Sequence, residues 1–411
     1  MKRAVIIDAV RTPITKGFQG ELRDMRPDDL AASCIDALLQ RNPGLDRQWI
    51  DDCIVGCGFP EGAQGMNLGK NVAVASDLGE GVAGCTVSRY CASGLEAIAN
   101  AAGRVASGYS EAVIAAGVES VSQTLRTVNT ERLFNPRIEQ KSPGTYVRMN
   151  PADRVTPFWK RAVRCMGETA EILAERERIG RAQQDEFACR SQARTAAAQR
   201  SELFADEIIA VLLEPGLDLA SRTASQPLTI RRDLCNRPDT TEAVLAGLEP
   251  SFRPNGTVTA GNAAPPCDGA AAALIVSEDF EARHALPKLG YFSGYAVTAC
   301  EPELMGKGPT LAIPKLLARH GLRLADIDLF EINEAFAAQM VYCERALNLN
   351  PGRVNVNGGA ISVGHPFGMT GVRLVGHLLR ELRRRGGRRG VVAMCTGGGI
   401  GVAALVEAAQ C

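Results

Sequence analysis

Four short segments of the chain carry side chains suited to covalent chemistry on a carbonyl carbon. Cys91 stands in Ser-Arg-Tyr-Cys-Ala-Ser-Gly and Asn333 in Asn-Glu-Ala-Phe, while His365 stands in Gly-His-Pro-Phe-Gly and Cys395 precedes three glycines. A thiol nucleophile needs a base to take its proton and hydrogen-bond donors to stabilise the oxygen that becomes negative on attack. A histidine and a glycine backbone are groups of these kinds, so the four segments form the candidate site.

Cys91 is the candidate nucleophile. It follows an apolar run, Gly84–Val87, and opens a predicted helix of small and apolar residues, Gly94–Val105. Because the unpaired N–H groups at a helix N-terminus favour negative charge, we expect this position to stabilise a thiolate.

Histidine is scarce, which narrows the choice of a base. His320 ends a predicted helix and His377 lies within one, so surface or core packing explains both, and nothing distinguishes His284. His365 is enclosed by glycines and a proline, which fix the backbone and allow another group to approach closely. A catalytic base for Cys91 is the favoured interpretation of His365, and a structural histidine in a tight turn is the alternative.

Cys395 is the second cysteine of interest because three glycines, 397–399, follow Thr396. Backbone without side chains can turn its N–H groups toward a ligand oxygen. Taken alone, Cys395 is better interpreted as a buried cysteine that ends a strand. Together with Cys91, Asn333 and His365, the pattern favours a reactive site.

The composition is that of an ordinary globular protein and excludes several functional classes. Of the 411 residues 45% are apolar, and 46 basic residues balance 46 acidic ones. This balance does not favour nucleic acid as a partner, and no apolar run approaches the roughly 18 residues of a membrane span. The chain leads directly into the apolar segment 4–7, which is too short for a signal-peptide core. A cytoplasmic protein is therefore expected.

The 13 cysteines form neither a disulfide framework nor a metal site. Their number is odd, no CxxC pair occurs, and Cys53 with Cys57 has no second pair or nearby histidine to complete a zinc site. Most of them are expected to be reduced thiols packed as small hydrophobic residues. No metal is required by the candidate chemistry.

Strands alternate with helices along the chain, which predicts a mostly parallel sheet covered by helices. The clearest predicted strands are 50–56, 112–117 and 269–276, and Thr257–Asn262 also resembles a strand. Between them the apolar pattern weakens, with one good helix at 182–200. That middle part is predicted to be an insertion lying over the sheet.

The last third of the chain repeats the first. The helix and strand of 35–55 have an echo at 313–332. The Cys91 turn, its helix and the strand Val113–Gly117 correspond to the turn Gly364–Gly371, a helix and the strand Val391–Cys395. A repeat of this length indicates a duplicated α/β domain. The expected domains are 1–122 with 256–280, an inserted loop domain over 123–255, and 281–411.

The repeat also suggests how the four segments meet. Asn333, His365 and Cys395 each stand after a predicted strand of the second domain, and Cys91 stands in the matching place of the first. Ligands of open parallel sheets bind beyond the carboxyl ends of the strands. Two facing domains would therefore bring these loops together.

At this point the sequence resembles the thiolase family over essentially its full length. The motifs that carry the resemblance are SRYCASGLEA, AGVES, VTAGN, DGAAA, NEAFAAQ, NGGAISVGHPFGMTG and CTGGGIG, in that order along the chain. FPEGAQG at Phe59 and RYCASG are closer to the degradative 3-ketoacyl-CoA thiolases than to the acetoacetyl-CoA-forming biosynthetic enzymes. The resemblance implies a duplicated α/β thiolase fold with layers αβαβα and an inserted loop domain that grips coenzyme A.

The resemblance also implies a ping-pong reaction with reversible carbon–carbon cleavage. Cys91, activated by His365, would take the acyl group of a 3-ketoacyl-CoA, and Cys395 would protonate the acetyl-CoA enolate that leaves. One oxyanion site would consist of His365 and a water held on Asn333, and the other of the backbone N–H groups of Cys91 and Gly397. Coenzyme A is then a co-substrate, with no tightly bound cofactor and no metal.

Some positions depart from the family or match it weakly. Ala263 and Ala264 stand where relatives commonly carry a serine that contacts the pantetheine arm. Met166 matches a family motif and would border the acyl group, although a core methionine is the alternative. Arg164, with Lys160 and Arg161, is a candidate for the CoA phosphates, and a solvated basic loop is the alternative.

Several matters stay open at the level of the sequence. The acyl chain length is not predicted, because the segment 124–164 matches relatives poorly. The alternatives are a biosynthetic acetyl-CoA C-acetyltransferase, a ketosynthase-type condensing enzyme and a non-catalytic member that binds acyl-CoA. The resemblance further implies a homodimer or homotetramer and allows a partner in a β-oxidation multienzyme complex.

Overall fold

A computed structural model gives the fold and describes residues 2–124, 158–213 and 227–409, together with the isolated positions 137 and 140. The strands are β1 (Ala4–Arg11), β2 (Thr15–Lys16), β3 (Asp52–Cys57), β4 (Ala83–Val87), β5 (Ala112–Ser120), β6 (Val211–Leu213), β7 (Leu228–Ile230), β8 (Cys267–Ser277), β9 (Gly290–Ala299), β10 (Leu329–Ile332), β11 (Arg389–Thr396) and β12 (Ile400–Ala408). The α-helices are Pro27–Arg41, Leu68–Ala75, Ser93–Ser107, Val121–Thr124, Phe158–Glu177, Arg181–Arg200, Glu242–Ala246, Glu278–His284, Gly308–Arg319, Ala337–Ala346, Ala360–Val363 and Phe367–Arg385.

Ten of these strands form one mixed sheet with two similar halves. Its order is β10-β11-β12-β9-β1-β8-β5-β3-β4, and β2 pairs with β8. In the first half β3 runs parallel to β5, whereas β5 with β8 and β8 with β1 are antiparallel. In the second half β10 runs parallel to β11, whereas β11 with β12 and β12 with β9 are antiparallel. The same order and senses recur, as expected for a duplicated α/β domain.

The two half-sheets join edge to edge through β1 and β9. Three residue pairs, Ala4 with Phe292, Val5 with Tyr291 and Ile6 with Gly290, connect them in antiparallel register. The alternation of strands and helices predicted a mostly parallel covered sheet, and the structure instead has one mixed sheet that is continuous across this seam. Even the outer strand of the first half has a counterpart, because Phe330 of β10 forms a parallel bridge with Val354.

Alternate residues of the strands face different hydrophobic cores, which produces the layers. In β3, Ile54 faces a central core that contains residues of both halves, while its neighbour Val55 faces the outer core beneath Pro27–Arg41. In the second half, Val392 faces the central core and Ala393 faces the outer core beneath Gly308–Arg319. Side chains of successive strand residues point to opposite faces. The result is the layer order helix, sheet, helix, sheet, helix that the resemblance to the thiolase family implied.

Two helices fill the central layer, and each begins at a segment of the candidate site. We call Ser93–Ser107 the first central helix and Phe367–Arg385 the second central helix. Their N-terminal turns approach closely at glycines: a Cβ on Gly371 would lie 2.3 Å from the backbone nitrogen of Leu95. Because only hydrogen fits there, the glycine allows the two helix starts to pack against each other.

The inserted segment is tied to both halves by buried ions. Arg11 of β1 donates to Asp233 at 2.6 and 2.8 Å and to Glu207 at 2.8 Å, and all three side chains are buried. Glu207 also contacts His377 of the second central helix at 2.9 Å. Removing one partner of a buried ion pair is strongly destabilising, so this network fixes the insertion on the sheet.

The structure corrects two predictions about local structure. Thr257–Asn262 is not a strand. The Glu171 carboxylate accepts the N–H groups of Thr257 and Val258, and the Asn262 side chain accepts that of Thr259, so side chains replace ladder partners. The predicted correspondence between strands Val113–Gly117 and Val391–Cys395 is also wrong by one residue. Val113 faces the central core, whereas Val391 faces an outer core. A shift of one residue changes the face of every side chain.

Candidate active site

Cys91 lies on a sharp turn between β4 and the first central helix. Tyr90 has a positive φ of 47°, which is uncommon for a residue with a side chain and marks a tightly held turn. Ser93 holds this turn, since its Oγ accepts the N–H of Arg89 at 2.8 Å and contacts the carbonyl oxygen of Tyr90 at 2.6 Å. The Cys91 side chain is half-buried.

The Cys91 sulfur is a neutral thiol in the ligand-free protein. Burial raises its pKa to about 12, and the charge of Glu119 acts in the same direction. The backbone N–H groups of Gly397 and of Cys91 itself lie against the sulfur and lower the pKa. The thiolate expected from the helix N-terminus is therefore wrong for this state, because burial outweighs the favourable dipole. A base is needed to form the nucleophile.

His365 lies in the loop before the second central helix and is a neutral imidazole. Burial and the charge of Arg373 lower its pKa to about 3. Its Nδ1 lies 2.8 Å from Oγ of Thr370, whose hydroxyl donates to the Pro366 carbonyl at 2.7 Å. Since the single hydroxyl proton is engaged there, Thr370 accepts a hydrogen bond from Nδ1–H. In this tautomer Nε2 carries the lone pair, which accepts from the Asn333 amide at 3.3 Å and is the position that can take a proton.

The segment before His365 differs from the predicted strand. The helical turn Ala360–Val363 precedes it, and the His365 backbone forms a parallel bridge with Pro266. The N–H of His365 donates to the Pro265 carbonyl at 3.1 Å. The loop is therefore held by the segment that leads into β8, that is, by the first half of the sheet.

Asn333 is placed beside His365 by the end of β10. Its Nδ2 lies 3.3 Å from His365 Nε2, and its backbone N–H donates to the Ala393 carbonyl of β11 at 2.9 Å. Its Oδ1 is buried and has no hydrogen-bond partner among the described residues. A buried acceptor without a partner is costly, so its persistence at a site points to a ligand or water contact.

Cys395 is the second-last residue of β11, whereas the sequence predicted it as the last residue of this strand. It is buried against Ala170, Phe336 and Met166, and burial together with the neighbouring Cys91 raises its pKa well above the usual thiol value. A cysteine with that environment is a protonated acid in the resting protein.

Aromatic rings connect the Cys91 side of the site to the His365 side. The ring of Phe59 lies 6.3 Å from that of Tyr90 and 5.8 Å from that of Phe367, and Phe367 stands edge-on to His365 at 5.1 Å. With the Asn333–His365 contact and the Gly397 N–H at Cys91, the structure brings Cys91, Asn333, His365 and the Cys395–Gly397 segment into one site.

The residues predicted as weaker substrate contacts differ in their positions relative to the site. Met166 is half-buried, and its sulfur lies 3.7 Å from where a Cβ on Gly397 would stand, so it borders the site. Ala264 donates its N–H to the Ala335 carbonyl at 3.0 Å, and its methyl group offers no hydrogen bond to a ligand. The side chains of Arg164, Lys160 and Arg161 lie outside the described residues.

Sequence reasoning missed two residues that shape the site. Thr370 fixes the His365 tautomer, and its place five residues after the histidine in the same motif was the available signal. Glu119 stands in the AGVES motif, and it is buried against the site with its pKa raised to about 7 by burial. A lone acidic residue after an apolar strand gives no indication of such contacts.

Comparison with known proteins agrees with this geometry. Residues 4–279 match the family described as Thiolase, N-terminal domain, and residues 286–408 match Thiolase, C-terminal domain. The chain belongs to the thiolase family. This confirms the resemblance drawn from the motifs, and with it the assignment of the chain to an enzyme family of acyltransferases.

Relatives with different substrates are about equally similar. The chain is 40% identical over 410 residues to a 3-ketoacyl-CoA thiolase of Bacillus subtilis, covering 99% of this chain and 100% of the relative. It is 40% identical over 418 residues, with 99% and 100% covered, to a 3-oxoadipyl-CoA/3-oxo-5,6-dehydrosuberyl-CoA thiolase of Escherichia coli. The crystal structure of the Bacillus anthracis acetyl-CoA acetyltransferase superposes with a TM-score of 0.86 at 35% identity, covering 100% and 99% of the two chains.

The described residues contain neither a metal-binding cluster nor a membrane-spanning helix. In the described part of the chain, no group of three or more histidine, cysteine, aspartate and glutamate side chains is placed to hold a metal ion. Over the same residues, no helix has both the length and the apolar character needed to cross a membrane.

Proposed function

We propose that the protein cleaves 3-ketoacyl-CoA with coenzyme A, giving acetyl-CoA and a shortened acyl-CoA, and that it can run the reverse condensation. The observation that carries the proposal is the convergence at Cys91: the Gly397 N–H lies against its sulfur, Cys395 is its neighbour, and an imidazole with a Nε2 lone pair lies in the same site. Each group has the protonation state that the first chemical step requires.

In that step the Cys91 sulfur attacks the 3-keto carbon while His365 Nε2 takes the thiol proton. The bond between the 2- and 3-carbons then breaks, its electron pair stays with the acetyl-CoA enolate, and the Cys395 thiol protonates the enolate carbon. Acetyl-CoA leaves, and the acyl group remains on Cys91 as a thioester. A covalent intermediate of this kind divides a difficult transfer into two easier ones.

In the second step coenzyme A accepts the acyl group. The Cys395 thiolate takes the proton of the CoA thiol, the CoA sulfur attacks the thioester, and Cys91 leaves and recovers its proton from His365. Both cysteines and the histidine return to their starting states, so the proton balance closes without a metal. In the condensing direction Cys395 removes a proton from acetyl-CoA.

Two oxyanion sites are proposed on opposite sides of Cys91. The thioester oxygen would accept hydrogen bonds from the backbone N–H groups of Cys91 and Gly397, which already lie against the sulfur. The oxygen of the acetyl-CoA enolate would be bound by His365 and by a water held on Asn333 Oδ1. This Oδ1 accepts no hydrogen bond from the described residues. Donors placed where charge develops stabilise the transition state by several kcal/mol.

Acyl trapping on Cys91 tests the mechanism. Incubation with a labelled acyl-CoA is expected to leave one acyl group on the Cys91 peptide, seen by mass spectrometry, and Cys91→Ala is expected to leave none. Cys300→Ala is the matched control, since Cys300 is another half-buried thiol. Acyl label on other cysteines of the Cys91→Ala protein, at the wild-type rate, would reject the assignment.

A panel of substrates separates the alternatives. Turnover of 3-ketoacyl-CoA of short, medium and long chains, measured by loss of the substrate enolate absorbance, is expected for a degradative enzyme. Turnover of acetoacetyl-CoA alone would indicate the biosynthetic acetyltransferase, and decarboxylation of a malonyl thioester would indicate a condensing enzyme. Absence of turnover with acyl-CoA binding intact would indicate a non-catalytic member.

We further propose that the protein is a cytoplasmic homodimer or homotetramer that serves β-oxidation. The support is the family together with the outer edge of β4, which pairs with no strand in the described part of the chain on the side away from β3. An unpaired strand edge is a ready surface for association with a second copy. Light scattering coupled to gel filtration measures the mass, and a monomer at micromolar concentration would contradict the proposal.

A further inference from the structure

Glu119, at the end of β5, has a set of contacts that the proposed mechanism does not use. Its Oε2 accepts the backbone N–H groups of Gly58 at 2.8 Å and Gly368 at 2.9 Å. Its Oε1 accepts from the Gln64 side chain at 2.7 Å and from the N–H of Phe59 at 3.3 Å. The side chain is fully buried and forms no ion pair within the described part of the chain. Four N–H donors therefore replace the cation that a buried carboxylate usually requires.

These donors belong to two different sides of the active site. The segment Cys57–Phe59 supports the Cys91 turn, because the Cys57 carbonyl accepts from Ser93 Oγ at 3.1 Å and the Gly58 carbonyl from Ser88 Oγ at 3.4 Å. Gly368 lies in the first turn of the second central helix, three residues after His365. One carboxylate thus connects the support of the nucleophile to the helix that carries the histidine loop.

The backbone is closely packed around the Glu119 carboxylate. A Cβ on Gly58 would lie 2.5 Å from Glu119 Oε2, and a Cβ on Gly117 would lie 2.3 Å from the Gly368 carbonyl oxygen. Real Cβ atoms do not approach other atoms this closely, so Gly58 packs directly on the Glu119 carboxylate and the β5 backbone packs directly on Gly368.

We propose that Glu119 is a positioning residue: its carboxylate fixes the Cys91 turn against the helix that follows His365, and its charge disfavours a thiolate at Cys91 before substrate binds. The inference rests on the proposed roles of Cys91 and His365. Burial raises the pKa of Glu119 to about 7, and its charge is a cause of the raised pKa of Cys91. The enzyme would gain protection of the nucleophile from unwanted reaction.

The charge effect makes a specific prediction about pH. The groups near Cys91 and Glu119 are Cys395 and Cys57, whose thiol pKa values are raised well above normal, and His365, whose pKa is lowered to about 3. Of these groups only Glu119 changes charge between about pH 6 and pH 8.5. Removing its charge should therefore affect Cys91 reactivity above about pH 7 and not below.

The experiment compares Glu119→Gln with the wild type by iodoacetamide alkylation of the Cys91 peptide. We expect the ratio of variant to wild-type rates to rise from about 1 at pH 6 to about 10 at pH 8.5. We also expect kcat to fall about 10- to 100-fold with KM within about threefold, because the loops lose a shared anchor. Glu111→Gln is the matched control, since Glu111 precedes the same strand but is only half-buried and pairs with Arg283 at the surface.

A rate ratio that is independent of pH would show a purely structural role and overturn the proposal. If Glu119→Gln does not fold, Glu119→Asp keeps the charge at a shorter reach, and it should lower kcat without changing the pH dependence. Failure of both variants to fold would assign Glu119 to stability alone and also overturn the proposal. The alkylation needs no substrate, so it remains readable even if acyl trapping on wild-type Cys91 fails and the proposed function is wrong.

Discussion

The corresponding strands β5 and β11 end at the active site in chemically opposite ways. Glu119 at the end of β5 is a carboxylate whose oxygens accept four N–H groups of the surrounding loops. Cys395 at the end of β11 is a thiol packed among apolar side chains. The duplication supplies two equivalent frames, and the residue at each strand end differentiates them. A polar group that is fully bonded holds its surroundings, whereas a protonated thiol beside the nucleophile is able to exchange a proton.

The same contrast appears at the neighbouring strands. Gln64, close to the end of β3, donates to Glu119 and to the Phe59 carbonyl and accepts the N–H of Ser120. Asn333, directly after β10, has one contact with His365 and a buried Oδ1 without a partner among the described residues. The first half thus uses its polar groups for structure, and the second half leaves bonding capacity for a ligand.

The largest expected effect comes from Cys395→Ala. It should lower steady-state thiolysis by about 10²- to 10⁴-fold, because positioned acid–base groups contribute factors of this size. Acylation of Cys91 by a simple acyl-CoA should persist, since that half-reaction needs no enolate proton. The two measurements are thiolysis rate and acyl label on Cys91, together with exchange of the acetyl-CoA methyl protons in deuterated water.

Cys300→Ala provides the control for this prediction, because Cys300 also neighbours Cys395 and is not placed in the mechanism. Its activity should stay within about threefold of the wild type. Normal proton exchange in the Cys395→Ala protein would contradict the acid–base role and remove the chemical side of the comparison.

The pair Asn333→Ala and Gln64→Ala tests the difference between open and bonded amides. Asn333→Ala should lower kcat/KM about 10²- to 10³-fold, the cost of losing one oxyanion contact, while the free energy of unfolding changes by less than about 1 kcal/mol. Gln64→Ala should lower the free energy of unfolding by about 2–4 kcal/mol, because it leaves buried hydrogen-bond partners unsatisfied. Urea unfolding gives the free energy of unfolding of both variants, and steady-state kinetics give kcat/KM of both.

Equal losses of stability in these two variants would show that Asn333 is structural as well. Gln64→Glu serves as the control at the first position, since it keeps the size but places a second carboxylate beside Glu119. It should destabilise more strongly than Gln64→Ala does, because like charges in a buried site repel.

Much of the fold was predictable because apolar periodicity and the repeat depend on local sequence. The helix Arg181–Arg200 and the strand Asp52–Cys57 were predicted from their sequence patterns to within two residues. The seam between β1 and β9 was not predictable, since edge pairing depends on tertiary placement and leaves no local signal. The strand assigned to Thr257–Asn262 was wrong because Glu171, far along the chain, binds its N–H groups.

The site was predictable to the level of residue types and motifs. Cys91 stood out at a predicted helix start, His365 among glycines and a proline, and Asn333 directly after a predicted strand, and the structure brings them together. Their protonation states were not predictable, because the pKa of Cys91 depends on burial and on Glu119 from another strand. The domain boundaries stay predictions, and the catalytic roles are predictions that the Cys91, Asn333 and Cys395 variants test.

Glycine substitutions at the two sides of the site compare the space available there. Gly58→Ala should lower the free energy of unfolding by about 1–3 kcal/mol, because its Cβ would lie 2.5 Å from Glu119 Oε2 and 3.1 Å from the Phe367 Cβ. Gly397→Ala should change it by less than about 1 kcal/mol, since the nearest atom would be 3.7 Å away. Urea unfolding measures both, and a well-tolerated Gly58→Ala would show that the β5 end is not tightly packed.

The two strand ends should also differ in how they make stability depend on pH. Burial raises the pKa of Glu119 to about 7 from its usual value of 4.5, so the folded protein holds this proton more tightly than the unfolded chain. Its contribution to the free energy of unfolding is present below pH 4.5 and is lost as the pH rises through about 7. Between about pH 5 and pH 8 the Glu119→Gln protein should therefore gain about 2–3 kcal/mol relative to the wild type. Cys395 keeps its proton over this range because its pKa is raised well above the thiol value, so the difference between Cys395→Ala and the wild type should not change with pH. Urea unfolding across this pH range measures the stability of each variant relative to the wild type. If this difference depended on pH in the same way for Glu119→Gln and Cys395→Ala, the two strand ends would not differ in titration.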